Sequence, residues 1–107
     1  MIINQYRLVL VNLDPTIGSE IKKTRPCLVI SPDEMNHHLR TVIIAPLTST
    51  HKLYPTRVSI RFNDKESWVA IDQIRTIDKK RIIHELGSIS PSEVKAIKKI
   101  IKEAFVD

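Results

Sequence analysis

The chain has one cysteine and no long hydrophobic run. Cys27 cannot form a disulfide within the 107-residue chain, and it has no CxxC partner that would bind zinc, so we interpret it as a small core residue. The longest apolar run, residues 42–47, has about six residues, whereas a membrane-spanning helix needs roughly 18 to 20. The first residues also lack the basic stretch and long apolar segment of a secretory signal. We therefore expect a cytoplasmic protein.

Repeats, low-complexity tracts and Pro/Gly/Ser-rich linkers are absent as well. An apolar fraction of 42% in a chain of this length is ordinary for a globular protein with one core. We expect a single domain over residues 1–107.

The charge is uneven, with 17 Lys and Arg against 12 Asp and Glu, a net charge of +5 and a pI near 9.6. This excess favours a polyanionic partner such as nucleic acid. A solvated basic surface would give the same composition, so charge alone does not decide the function.

Hydrophobic patterning predicts short strands first and one helix last. Asp14-Pro15 ends the first strand, a polar loop follows over residues 14–24, and residues 32–36 favour a turn or one helical turn. Residues 63–65 predict a hairpin turn, and Gly87 is expected to end the last strand. The predicted strands are residues 6–13, 26–31, 41–47, 55–62, 68–72 and 81–86.

The strand over residues 55–62 has the clearest alternation, because Val58, Ile60 and Phe62 alternate with Arg57, Ser59 and Arg61. One face is expected to be core and the other basic.

The predicted helix starts at Ser90, which serves as its cap, with Pro91 at the first position and Glu93 completing a capping box. Its apolar residues recur at spacings of three and four, and lysines occupy the other faces. Several short strands and a terminal helix in so small a chain predict a mainly β fold, a partly closed antiparallel barrel.

Six blocks of residues occur in the order found in MazF/PemK toxins, and the chain resembles this family from about residue 9 to residue 90. In this sequence the blocks are VNLDP (11–15), GSE (18–20), KTRP (23–26), IAPLTS (44–49), YPTRV (54–58) and DQIRTIDK (72–79).

The resemblance implies an SH3-like partly closed barrel of the CcdB/PemK type with a C-terminal helix, and a homodimer. It also implies cleavage of single-stranded mRNA at short motifs without a cofactor, and hence inhibition of translation and growth. The implied partner is a cognate antitoxin with a disordered acidic segment, and the toxin–antitoxin complex is expected to bind DNA. Some PemK-type members have a histidine and an arginine where this chain has Ser19 and Ala70, so the version of the site with arginine and threonine is the better match.

RNA carries its own nucleophile, the 2′-hydroxyl, so a metal-free ribonuclease needs a proton acceptor, a proton donor and positive charge near the phosphate. Arg25 is the candidate for the charge, because a guanidinium matches two phosphate oxygens and stays cationic. Thr48 is the candidate hydrogen-bond donor. Glu20 is expected either to accept the 2′-hydroxyl proton or to read a base edge. The expected products carry a 2′,3′-cyclic phosphate and a 5′-hydroxyl.

RNA binding combines stacking with hydrogen bonds to base edges. Tyr54 and Pro55 could stack, Arg57 could hold a phosphate or a base, and Asp72 with Gln73 offers an acceptor beside an amide. We expect Trp68 to be a core or dimer-interface residue. The resemblance adds loop and strand-end residues to the RNA-binding set, namely Ile17, Ser19, Lys23 and Ser49.

Other interpretations remain at this point. Without the resemblance, Arg25 would be a surface ion-pair residue, Thr48 a strand-end residue and Glu20 a solubilising charge. A two-histidine ribonuclease gains no support from the spacing of His37, His38, His51 and His84.

Two non-enzymatic functions are the alternatives. A gyrase-poisoning toxin similar to CcdB would need a C-terminal Trp-Gly-Ile tail, and residues 104–107 read AFVD, so we do not expect that activity. The other is an SH3-like nucleic-acid-binding module that uses the Arg57 and Arg61 face without chemistry.

Overall fold

The computed structural model describes residues 2–49 and 54–106. Within these ranges, strands precede a final long helix, as the hydrophobic pattern predicts. The elements are β1 (Arg7–Asn12), β2 (Thr24–Val29), α1 (Asp33–His38), β3 (Thr41–Thr48), β4 (Arg57–Phe62), β5 (Lys65–Ala70), a first 3-10 helix (Ile71–Gln73), β6 (Arg75–Asp78), a second 3-10 helix (Lys79–Arg81), β7 (Ile82–Ser88) and α2 (Pro91–Phe105).

The strands form an antiparallel sheet in the order β4-β5-β3-β2-β1-β7. β2 pairs with one edge of β3. β3 also pairs with two further strands: β6 pairs with its residues 41–44, and β5 pairs with its residues 47–48. The first 3-10 helix carries the chain from β5 to β6, beside the middle of β3. The mainly β, partly closed barrel with a C-terminal helix is confirmed.

The central strands β1, β2 and β3 are buried on both faces, which explains their nearly continuous apolar sequences. One face forms a first cluster, in which Val11, Cys27 and Ile44 pack against Ile77 and Ile82. The opposite face forms a second cluster, which brings β4, β5 and Ile97 of α2 together. The second cluster contains Leu8, Leu28, Ala45, Leu47, Val58, Ile60, Val69, Ile71 and Ile97.

The β4–β5 hairpin is tighter than predicted. Asn63 and Asp64 have φ values of 51° and 60°, the left-handed conformation of a two-residue hairpin turn that Asn and Asp tolerate. Consequently β5 starts at Lys65 and ends at Ala70. The predicted strand over residues 68–72 is wrong at both ends, since it starts three residues and ends two residues further along the chain. Asp72 lies in the first 3-10 helix instead.

The predicted capping box of α2 is confirmed. The Ser90 hydroxyl accepts a bond from the Glu93 amide at 3.2 Å, and Glu93 Oε1 accepts one from the Ser90 amide at 2.8 Å. Glu93 Oε2 also accepts the Arg61 amide of β4 at 2.7 Å. Partial burial raises the pKa of the Glu93 carboxyl, but the hydrogen bonds from Ser90 and Arg61 outweigh it, and the net pKa is lowered.

Other expected boundaries shift. β6 was not predicted, because it is only four residues long and lies between two 3-10 helices. Gly87 does not end the last strand; it lies within β7 at φ 139°, a conformation that favours glycine. No helix in the described part of the chain is long and apolar enough to span a membrane.

Candidate active site

The register of β2 and β3 brings Arg25 and Thr48 to one face of the sheet. Cys27 of β2 lies opposite Pro46 of β3. Side chains two residues apart share one face of a strand, so Arg25 of β2 lies on the face of Cys27, and Thr48 of β3 lies on the face of Pro46. Arg25 also lies opposite Val11 of the first cluster, which fixes the side of the sheet. Both side chains line one cleft of about 470 Å³.

One wall of the cleft is the β1–β2 loop, residues 13–23. The other wall is formed by residues of β3, β4 and the first 3-10 helix. Lys22, Arg25 and Arg57 give it positive charge, and Glu20 contributes a carboxylate. Its lining residues are Ser19, Glu20, Ile21, Lys22, Arg25, Thr48, Tyr54, Arg57 and Gln73.

A second cleft of about 360 Å³ adjoins the first. Ser19, Glu20, Ile21 and Gln73 line both, so these residues form the boundary between them. The second cleft adds Pro46, Asp72, Ile74 and Arg75.

Arg25 is held at one nitrogen and open at the others. Its Nε donates to the carbonyl of Lys22 at 3.0 Å, and within the described residues its two terminal nitrogens have no hydrogen-bond partner. A half-buried guanidinium fixed in this way can offer two donors to an anion in the cleft.

Thr48 is 8% exposed and ends β3, where it lies opposite Trp68 of β5. Trp68 is half-buried, on the face opposite Val69 of the second cluster. Trp68 is therefore not a buried core residue of this chain; it lies beside Thr48 on the same face of the sheet, and its alternative place at a dimer interface stays a prediction.

Glu20 lies in the part of the loop that faces both clefts. Its Oε1 accepts the amide of Ile17 at 2.6 Å, and the Glu20 amide donates to the Ile17 carbonyl at 3.2 Å. Gly18, at φ 59°, allows this tight turn. The other nearby carboxylate, Asp14, accepts the Lys23 amide at 3.0 Å and so closes the base of the loop.

Arg57 and Asp72 form an ion pair along the cleft. Arg57 Nε and Nη2 donate to Asp72 Oδ1 and Oδ2 at 2.8 and 3.1 Å, and Thr56 Oγ1 donates to Oδ1 at 2.9 Å. The hydrogen bond to Asp72 raises the pKa of Arg57, and the same bond lowers the pKa of Asp72. The Arg57 guanidinium also lies 5.3 Å from the ring centre of Tyr54.

These contacts limit the expected roles of the pair. Asp72 Oδ1 accepts bonds from Arg57 and Thr56, and Oδ2 accepts one from Arg57, so Oδ2 keeps one acceptor position, and base reading by Asp72 beside Gln73 stays a prediction. The predicted basic face of β4 is also partly neutralised, since Arg57 is paired with Asp72.

Gln73 is engaged as well. Its Oε1 accepts the Ile21 amide at 2.6 Å, which ties the β1–β2 loop to the first 3-10 helix. No sequence pattern indicates this bond, because 52 residues separate its partners.

Four residues expected to bind RNA do not line either cleft. Ile17 is 84% exposed in the loop, Ser49 is exposed after β3, and Lys23 lies at the loop base. Pro55 instead lines a shallow depression against α2 with Ile100 and Ala104.

Sequence reasoning missed five lining residues. Two of them are basic: Lys22 is adjacent to the predicted Lys23, and Arg75 lies two residues after Gln73 in the family block over residues 72–79. Arg75 Nη1 donates to the Leu13 carbonyl at 3.1 Å and so supports the loop base. The missed residues are Ile21, Lys22, Pro46, Ile74 and Arg75.

Cys27 is fully buried in the first cluster. Burial raises the pKa of its thiol to about 12, although the charges of Arg75 and Arg25 oppose the shift. The thiolate is therefore scarce at neutral pH, and the interpretation of Cys27 as a core residue is confirmed.

The histidines lie elsewhere. His37 and His38 end α1, in a helix where the sequence suggested a turn, and His84 is exposed on β7. None of these three lines either cleft. His51 falls outside the described residues.

Comparison with known proteins identifies the relatives of this chain. The model of the family described as PemK-like, MazF-like toxin of type II toxin-antitoxin system matches residues 4–105. The Endoribonuclease MazF of Staphylococcus epidermidis is 37% identical over 91 residues, which cover 79% of this chain and 76% of that protein.

Solved structures share the fold. MazF from Deinococcus radiodurans has a TM-score of 0.88 at 24% identity, covering 100% of this chain and 99% of that chain. An endoribonuclease from a mycobacterial species, solved in complex with its cognate antitoxin, has a TM-score of 0.82 at 23% identity, covering 97% and 95%.

Proposed function

The chain belongs to the family of PemK-like, MazF-like toxins of type II toxin–antitoxin systems, and we propose that it is a sequence-specific, metal-independent endoribonuclease. Its substrate is single-stranded mRNA, whose cleavage stops translation and growth, and a cognate antitoxin neutralises it. The observation that carries this proposal is the cleft that Arg25 and Thr48 share.

Arg25 stabilises the negative charge that develops on the phosphate oxygens during attack. The 2′-hydroxyl oxygen attacks the phosphorus, the bond to the 5′ oxygen breaks, and negative charge accumulates on the non-bridging oxygens. The terminal nitrogens of Arg25 donate to those oxygens while its Nε remains on the Lys22 carbonyl. Thr48 donates its hydroxyl hydrogen to the same phosphate. The products are a 2′,3′-cyclic phosphate and a 5′-hydroxyl.

Two proton transfers complete the reaction. The 2′-hydroxyl loses a proton as it attacks, and the 5′ oxygen gains one as it leaves. Glu20 has one oxygen bonded to the Ile17 amide, so its second oxygen can either accept the 2′-hydroxyl proton or bond a base edge.

The adjoining clefts, of about 470 and 360 Å³, together form the groove in which we place the RNA. Tyr54, which is 49% exposed, offers a ring on which a base can stack. Lys22 adds positive charge for a phosphate.

The contacts of Arg57 favour the enzyme over a module that binds through the Arg57 and Arg61 face. Asp72 neutralises Arg57, and the Arg61 guanidinium donates to the Asp64 carbonyl across the hairpin. In the cleft, by contrast, Arg25 bonds a backbone carbonyl through Nε alone, and its guanidinium lines the same surface as the Thr48 hydroxyl.

The first test is cleavage of a long single-stranded RNA in EDTA. The wild type is expected to give discrete fragments with 5′-hydroxyl ends. Arg25→Ala is expected to lower kcat by at least about a hundredfold, since one charge-stabilising donor contributes roughly that much. Arg40→Ala is the matched control, because Arg40 is exposed at the far end of β3 and does not line the cleft.

Full cleavage by Arg25→Ala would overturn the assignment. Absence of cleavage by the wild type, with RNA bound and intact, would instead favour the binding module.

Glu20→Gln separates the two roles of Glu20. If the carboxylate accepts the proton, kcat falls while KM and the cleavage sites change little. If it reads a base, KM rises or the cleavage sites change while kcat is retained. Unchanged kcat, KM and sites, measured by steady-state kinetics and sequencing of the 5′-hydroxyl ends, would remove Glu20 from the site.

A further inference from the structure

We propose that Gln73 is a positioning residue, which orients the Arg25 guanidinium through the backbone of the β1–β2 loop. This inference rests on the proposed ribonuclease function. It differs from the sequence expectation, in which Gln73 offers its amide directly to an RNA base.

The first link is the bond between the loop and the first 3-10 helix. The Ile21 amide donates to Gln73 Oε1 at 2.6 Å. Both residues are half-buried, so water competes for this bond less than it would at an open surface.

The second link is the next residue of the loop. The Lys22 carbonyl accepts the bond from Arg25 Nε at 3.0 Å. Because Lys22 directly follows Ile21, a shift of the Ile21 amide also moves the carbonyl that fixes the plane of the guanidinium.

The 3-10 helix is the rigid partner. Ile71 is fully buried and its amide donates to the Thr56 carbonyl at 3.0 Å. Asp72 is held by Arg57 and Thr56. Gln73 therefore extends from an anchored turn.

The loop is the more exposed partner. Its residues 17–20 are exposed, and Ile17 is 84% exposed. Ile21 packs against the first cluster, and the bond from its amide to Gln73 adds a polar anchor at the end of this exposed segment.

The bond to Ile21 is present in the protein without RNA, so Gln73 Oε1 holds the loop before a substrate binds. The amide nitrogen and the second lone pair of Oε1 can still contact a base, so the two roles are separated by experiment.

The test compares two substitutions of the same residue. Gln73→Met keeps the length of the side chain but has no comparable acceptor for Ile21, whereas Gln73→Glu keeps the acceptor and adds a negative charge. Gln5→Met is the control, because Gln5 bonds the Ile30 carbonyl at 2.8 Å and does not line either cleft.

We expect Gln73→Met to lower kcat by roughly tenfold or more with little change in KM, because small misplacement of a catalytic group is costly. Gln73→Glu is expected to retain kcat and raise KM, since its charge repels RNA. Gln5→Met should leave both unchanged.

NMR of the free protein supplies a readout that does not need RNA. Hydrogen exchange of the Ile21 amide and of the Arg25 Nε–H should accelerate in Gln73→Met and stay near the wild-type rate in Gln73→Glu.

Several results would overturn the proposal. One is unchanged exchange at Ile21 and Arg25 in Gln73→Met. Another is a Gln73→Met enzyme that keeps its kcat but cuts at different sites, which would make Gln73 a base reader. If the wild type cut no RNA, the proposed function would fail, yet the exchange rates would still decide whether Gln73 holds Arg25.

Discussion

Asp72 joins two parts of the chain, because its carboxylate binds Arg57 and Thr56 at the start of β4 while its backbone belongs to the first 3-10 helix. Sequence alone identifies Arg25 and Thr48 as neighbours only through the family resemblance, since no local pattern connects two separate strand ends. The bonds from Asp72 to Arg57 and from Gln73 to Ile21 were missed for the same reason. Each depends on how distant segments meet in the folded sheet.

The lowered pKa of Asp72 predicts acid-sensitive stability. Because the unfolded carboxyl binds protons more readily than the folded one, the ion pair stabilises the fold above about pH 4 and loses this effect as pH falls through the folded pKa. Urea denaturation should therefore show Asp72→Asn less stable than the wild type at pH 7, with the difference shrinking below about pH 4. Asp64→Asn, in the exposed hairpin turn, is the control. A difference that does not depend on pH would contradict this.

Helix α2 was predicted closely because its signals are local. Ser90, Pro91 and Glu93 are adjacent in sequence and act on the first turn that follows them. Strand β6 was not predicted, because a four-residue strand has too few residues to display alternation. The start of β5 was not predicted either, because it depends on the backbone angles of the turn at Asn63 and Asp64. Sequence patterns thus predict elements whose determinants are neighbours along the chain.

Removal of the α2 cap should lower stability without altering chemistry. Ser90→Ala loses the acceptor for the Glu93 amide and is expected to reduce the free energy of unfolding by about 1 kcal/mol. Ser88→Ala, at an exposed position of β7, serves as the matched control in the same urea titrations. RNA cleavage by folded Ser90→Ala should equal that of the wild type. Equal stability of the two variants would show that the cap contributes nothing.

At the scale of the whole molecule, part of the excess positive charge lies in the cleft, which Lys22 and Arg25 line. We expect a disordered acidic antitoxin segment to be attracted to the basic groups proposed to hold RNA, since an extended segment covers more surface than a folded peptide. We therefore expect the antitoxin to lie across the cleft that contains Lys22 and Arg25. The homodimer remains a prediction of the family resemblance, and sedimentation tests it.

Competition binding tests the antitoxin's position. A fluorescent RNA with 2′-O-methyl groups cannot be cut, because its nucleophile is blocked, so its binding can be followed at equilibrium. Adding the cognate antitoxin should release this RNA, and higher salt should weaken the binding of both. A ternary complex in which the toxin holds RNA with unchanged affinity would exclude a shared surface.

The two walls of the cleft differ in how much change they tolerate. On one side, β5 and β6 pair in turn with a single strand, so an inserted residue in the 3-10 helix between them would push one pairing out of alignment. On the other side, the β1–β2 loop can lengthen at small entropic cost. We therefore expect new cleavage preferences to arise by changes in loop residues 15–20, while the 3-10 helix between β5 and β6 keeps its length.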